Sequence, residues 1–258
     1  MTEQIDSRAI GALKCIDRAT GYILTRPLNV ISESADFIRN RSNLYVIKKV
    51  AGLGEYTDSF NPVPSLPATG SLSVTVQVKD PLNQYLPRTV DINLPLDTSP
   101  ENIENSNSIF RPIEVSLYAA PNAGLLSNWS TVRVSVLRND NVLGEVPVKG
   151  SLLRIIRQSD NAVLSSGLSD GRGEALVIIP GVPITQFSEE ESSDTELGND
   201  TPVVVSELSV RLEVSFDSSV SWPVNPDVLE ANHSSNLVAT ENMALRTGRM
   251  EKINIVLN

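Results

Sequence analysis

The sequence predicts an all-β protein of two tandem β-sandwich domains, and three observations carry that expectation. Apolar and polar residues alternate with period two along much of the chain. Clusters of Pro, Gly, Asn and Ser punctuate the alternating runs, and the 16 prolines fall mostly in connections such as FNPVPSLPATG and WPVNPD, where a missing amide donor harms no ladder. The third observation is an internal repeat, in which the chain states one order of strands and turns twice.

At 258 residues the chain exceeds the usual size of a single domain. The first half begins with ALKCIDRATGYILTRPLNV, passes through DFIRNRSNLYVIKKVAGLGEYT into the strand SLSVTVQV, and closes with FRPIEVSLY. The second half begins with TVRVSVLRNDNVLGEVPVKG, passes through GLSDGRGEALVIIPGVPIT into ELSVRLEVSF, and closes with GRMEKINIVLN. Each amphipathic strand needs a facing sheet, which a sandwich unit of short strands joined by frequent turns supplies. The boundary is expected in AAPNAGLLSN, Ala119 to Asn128, giving domains 1–122 and 123–258.

Individual strands follow from the alternation. In SLSVTVQVKD, Leu72, Val74, Val76 and Val78 share one face, with Ser73, Thr75, Gln77 and Lys79 on the other. The same reading assigns Val132, Val134 and Val136 to one core face, and Val210, Leu212, Val214 and Phe216 to another. The one place open to a short helix is LEANHSSNLVATENMALRTG. Cys15, near the first strand, reads as a small buried hydrophobe and cannot close an intrachain disulfide alone.

Charge excludes several functions. The formal net charge is −10 and the pI about 4.7, so the summed field repels phosphate backbones, and nucleic acid is not an expected partner. The acidic run SEEESSDTELGND, Ser188 to Asp200, reads as a solvated loop and lacks the alternating Asp/Asn/Gly spacing that wraps a calcium ion. One histidine and one cysteine cannot build a Cys/His zinc site, and neither a Walker loop nor a dinucleotide fingerprint occurs. No metal and no cofactor is expected. The start of the sequence carries neither a basic n-region nor an apolar h-region, so cytoplasmic synthesis without membrane insertion is expected. The sequons at Asn40, Asn128, Asn199 and Asn232 then carry no meaning.

The sharpest catalytic candidate is GLSDGRGEA, Gly167 to Ala175, which contains G-x-S-x-G with Ser169 at its centre and His233 downstream. A nucleophile elbow needs a helix after the serine, but EALVIIPG continues as a strand, and Asp170-Gly171 with Gly173 supply hairpin-turn residues. Ser169 and Asp170 therefore read as turn formers, and no catalytic residue is assigned. Tyr85 in DPLNQYLPR could anchor a partner or pack on its own sheet edge. Trp129 and Trp222, each beside a strand end, could stack on sugars or cap a sandwich.

IDRATGYILTRPLNV and LSDGRGEALVIIPGVP resemble the signature of carboxypeptidase-regulatory-like domains, which are transthyretin-like or Ig-like sandwiches. Asp17, Thr20 and Gly21 match that family's D-x-x-T-G turn, and Asp170, Gly173 and Ala175 its second turn. The first half departs at Asn40 to Asn43, where Arg41 and Asn43 stand near the expected Asp and Gly, and the second half lacks D-x-x-T-G. The resemblance implies a scaffold and no chemistry. RNRSNLYVIKKVAGLGEYT, DPLNQYLPR and LSDGRGEALVIIPGVPIT are also similar to accessory proteins of phage-tail-like contractile injection systems. That likeness implies a non-enzymatic structural part of a large particle, with sheath, tube or cap proteins as partners. The alternative is a carbohydrate- or surface-binding module, which needs Trp129, Trp222 or several tyrosines on one exposed face.

Overall fold

The computed structural model describes residues 8–58, 63–182 and 207–257, so the acidic run Ser188–Asp200 lies outside the described residues. The fold is all-β, with two compact β-sandwich units. Unit 1 comprises 1–123 together with 217–235, and unit 2 comprises 124–216 together with 236–258. The expected second domain, 123–258, is therefore interrupted by a 217–235 excursion that packs with the first unit.

In unit 1 the strands are β1 (Ala12–Asp17), β2 (Asn29–Ile31), β3 (Ala35–Arg39), β4 (Leu44–Val50), β5 (Leu72–Lys79), β6 (Arg88–Leu94) and β7 (Ile113–Leu117). One sheet has the order β3-β4-β1-β7 and the other β2-β5-β6. Their apolar faces meet in one core, where Leu13, Cys15, Ile47, Val115 and Leu117 face Val74, Val76, Val78, Ile92 and Leu94. The valines of β5 are the ones the alternation assigns to the core, and its opposite face stays polar, with Thr75 donating to Asp91 at 2.6 Å across the ladder. A helical turn, α1 (Gly54–Asp58), buries Tyr56 and Thr57; nothing in the alternation signals it.

Unit 2 contains β8 (Ser130–Asp140), β9 (Gly144–Pro147), β10 (Leu152–Arg157), β11 (Val163–Leu168), β12 (Glu174–Ile179), β13 (Glu207–Ser215), β14 (Leu237–Arg246) and β15 (Met250–Leu257). Its sheets are β12-β8-β15, with β9 also on β8, and β11-β10-β13-β14. Val132, Val134, Val136, Ala175 and Val177 pack against Leu153, Ile155, Val210, Leu212 and Val214. The stretch open to a short helix divides: α2 (Pro226–Ala231) starts just ahead of it and covers its first residues, whereas Leu237–Arg246 forms β14.

The repeat is legible in the pairing. In both units the first strand lies antiparallel to one neighbour (β4 or β12) and parallel to the last strand of the unit (β7 or β15). β9 has only a single-bridge counterpart in unit 1, Ile16 with Ile23. The copies differ in one strand, since β3 pairs with β4 whereas β11 pairs with β10. β2 has three residues and all of them pair with β5, while the six of β10 pair with β13 on one side and leave a full edge for β11 on the other.

Candidate interaction surfaces

Ser169 is fully buried at the end of β11. Its hydroxyl donates to the Val148 carbonyl at 2.8 Å and accepts from the Ser151 amide at 2.8 Å. A hydroxyl so engaged ties two backbone groups together and presents nothing to a substrate. The adjacent Asp170 accepts from the amides of Arg172 at 2.8 Å and Glu174 at 3.0 Å, and its carboxylate pairs with the Arg172 guanidinium. His233 is buried and belongs to unit 1, whereas Ser169 belongs to unit 2. Ser169→Ala is expected to lower the melting stability of unit 2 by about 1–3 kcal/mol, because a buried amide and a carbonyl lose their partner.

The turns are the sites of the family signature, and they explain where that signature departs. Asp170 bonds the amides two and four residues ahead, while Gly173 takes φ +75°. Asn40 does the same in unit 1, accepting from the amides of Ser42 and Leu44 at 2.9 Å, with Asn43 at φ 63°. So the structural equivalents of Asp170 and Gly173 are Asn40 and Asn43, and the expected shift to Arg41 is corrected. Asp80 forms a third such turn with the amides of Leu82 and Gln84, and Asn83 at φ 51°. An Asx oxygen at the first position and a residue tolerant of positive φ three later are the physical requirement.

The D-x-x-T-G turn also has a counterpart. Asp17 accepts from the amides of Ala19 and Thr20, and Gly21 has φ 73°. In unit 2 Asp140 accepts from Val142 and Leu143 at 2.9 Å each, and Gly144 has φ 76°. These bonds, that of Leu143 first, hold the Asp140 carboxyl below its ordinary range. D-N-V-L-G thus does the work of D-R-A-T-G, and the threonine is the dispensable letter.

Tyr85 is half-buried, and its hydroxyl donates to Asp17 at 2.9 Å while Arg26 stacks over its ring at 5.3 Å. Burial, reinforced by the Asp17 carboxylate, pushes the phenol upward. Asp80 is buried alongside, paired with Arg26 at 3.3 Å. Tyr85 is therefore packed on its own unit. Cys15 is buried too, and desolvation raises its thiol from 9.0 to about 12 despite the opposing Arg88 charge. Because folding keeps this thiol protonated while the unfolded thiol ionises, its contribution to unit 1 stability is full below pH about 9 and is lost as pH rises towards 12. Disulfide-reagent labelling of Cys15 is accordingly expected to track unfolding of unit 1, with native protein near neutral pH reacting far more slowly than denatured protein.

Arg88 has no counterpart among the sequence expectations. It is fully buried and occupies a position on β6 that alternation assigns to the core, with Val90, Ile92 and Leu94. Its guanidinium donates to the carbonyls of Thr89 and Ser116, to Asn225 Oδ1, and at 2.5 Å to Asp227 Oδ2. Asn225 caps α2 and its own amide reaches Asp91 at 3.1 Å, while the Thr89 amide donates to the Val224 carbonyl. The 217–235 excursion thereby covers the otherwise free edge of β6. A positively charged residue at a core-facing strand position was the available signal.

Three surface features remain. A groove of about 670 Å³ on unit 1 is lined, among the described residues, by Ile31, Ser32, Glu33, Ser34, Thr75, Gln77 and Thr89, none of them aromatic. In unit 2, half-buried Trp129 shares a shallow hollow with Leu125, Leu126, Arg249 and Met250, and Leu126 is 59% exposed. At the β8–β9 hairpin tip Val142 and Leu143 are 89% and 76% exposed, on the turn that Asp140 fixes. Trp129 and Trp222 belong to different units. Among the described residues no group of three or more His, Cys, Asp or Glu side chains could hold a metal ion, and no helix is long and apolar enough to cross a membrane.

The fold and these turns define a tandem β-sandwich protein. No protein-family model matches the chain, and no curated protein matches it. Among solved structures it is similar to the TIE protein of Bacillus anthracis, with 8% identity, 97% of this chain and 34% of that one covered, and a TM-score of 0.25. It is also similar to GBS52, the minor pilin of Streptococcus agalactiae, with 7% identity, coverage of 96% and 95%, and a TM-score of 0.27. The chain spans about a third of the length of the Bacillus protein. Likenesses this distant carry no functional argument.

Proposed function

We propose that the protein is a non-enzymatic structural or assembly component of a large protein particle, acting through contacts with other subunits. The observation that carries this reading is the contrast between its committed polar groups and its presented apolar ones. Ser169, Asp17, Asp170 and Tyr85 are all engaged within turns and strand ends, whereas Val142 and Leu143 are held outward on a fixed turn. An apolar pair on a preorganised loop suits insertion into a partner's pocket, since little entropy is lost on docking. The likeness of RNRSNLYVIKKVAGLGEYT and DPLNQYLPR to accessory proteins of phage-tail-like contractile injection systems favours such a particle, with sheath, tube or cap subunits as partners and assembly in the cytoplasm.

The test is sedimentation of a tagged copy from its native host, with electron microscopy and mass spectrometry of the pellet. Recovery in sheath-and-tube particles is the expected result, and recovery only as a small soluble species overturns the reading. Val142→Asp combined with Leu143→Asp is expected to reduce recovery in particles at least about tenfold while leaving the melting temperature unchanged, because both side chains are already in water.

A further inference from the structure

The parallel pairing of first and last strands has a mechanical consequence. In unit 1 the β1–β7 ladder matches Leu13 with Ile113 and runs through five positions to Asp17 with Leu117. In unit 2 the β8–β15 ladder matches Thr131 with Met250 and runs through eight positions to Arg138 with Leu257. Because the paired strands point the same way, the start of the first and the finish of the last lie at opposite ends of the ladder. A pull between those two points acts along the strands, in shear, so the slanted ladder bonds are loaded together. An antiparallel hairpin pulled at its open end instead yields one bond pair at a time.

Both ladders are reinforced at the places where shear concentrates. In unit 1 the register pair Lys14 and Glu114 forms an ion pair across the strands, and beyond the last pair the Arg18 amide donates to the Leu117 carbonyl at 2.9 Å. In unit 2 the Thr131 amide donates to the Arg249 carbonyl at 2.9 Å, and the Ser130 hydroxyl to the Arg246 carbonyl at 2.7 Å. The first strand is held on its other side as well, by β4 in unit 1 and β12 in unit 2. Sliding β7 or β15 also drags Val115 and Leu117, or Ile255 and Leu257, out of a packed core.

We propose that each unit is built to carry tension along the chain, so that the protein serves as a mechanically resistant link. This goes beyond the assembly reading and does not depend on which particle holds the protein. The experiment is single-molecule pulling of the full chain in a Cys15→Ala background, with handles at the two ends. The comparison geometry, in the same background, places handles at Ser34→Cys and Ala51→Cys, which flank the Ala35–Val50 pair and open the β3–β4 hairpin from its free end. End-to-end pulling is expected to give two unfolding events, each at about twofold or more the force of the hairpin geometry at equal loading rate, since forced unfolding reports the unfolding barrier. Lys14→Gln should lower the unit 1 event alone. End-to-end forces no higher than those of the hairpin geometry overturn the proposal, whatever the sedimentation result.

Discussion

Replacing Arg88 with alanine is expected to destabilise unit 1 by about 3–5 kcal/mol, measured by chemical denaturation with Cys15 labelling as the reporter. The Arg88 side chain is fully buried, so its removal leaves a cavity and strips donors from the Ser116 carbonyl, Asn225 and Asp227 at once. Most of the loss should not come from the ion pair itself. Asp227 is 55% exposed, and solvent screens its attraction, so Asp227→Asn is expected to cost only about 1 kcal/mol. Arg88→Met separates volume from charge, because methionine fills much of the space yet leaves the Ser116 carbonyl unpaired. An intermediate loss is expected. Full stability of Arg88→Met would show that the buried cation selects where the 217–235 excursion docks, without adding net stability.

Arg88 also shows how far the sequence can be read. The core strands were legible because burial on one sheet face imposes a period of two, and Val74, Val76, Val78, Val132, Val134 and Val136 obey it without exception. The opening, long alternating and closing strands of each half were legible for the same reason, whereas β6 and β14 were not. Strand partnership was not legible either, since β3 and β11 occupy equivalent places in the two copies, yet join different sheets, beside a three-residue β2 in one unit and a six-residue β10 in the other. The excursion is not legible in the sequence because its attachment is a long-range contact between Arg88 and residues 137 and 139 positions away, which no local pattern encodes. On the surface the same limit applies. That Val142 and Leu143 stand exposed on a fixed turn follows from their amides donating to Asp140, a geometry that composition does not spell out.

Gly173→Ala should be among the most damaging single substitutions in unit 2, with an expected loss of about 3 kcal/mol or more in thermal or denaturant unfolding. A Cβ at Gly173 would lie 2.4 Å from the Val136 carbonyl oxygen and 3.1 Å from the Val148 amide nitrogen, both backbone atoms, and φ +75° is itself unfavourable for alanine. Those atoms are bonded to each other at 2.9 Å, and the Val136 amide donates to the Gly173 carbonyl at 2.8 Å, so none can retreat without opening the β8–β9 corner. The equivalent residue of unit 1, Asn43, has a side chain, and Arg39 donates to it. Asn43→Gly is therefore expected to change stability by no more than about 1 kcal/mol, since glycine accepts the conformation and only an exposed bond is lost. If the turn conformation alone required glycine at Gly173, Gly173→Asn would be tolerated as Asn43 is in unit 1. The contact with Val136 predicts instead that Gly173→Asn fails as badly as Gly173→Ala, which separates crowding from backbone preference in one measurement.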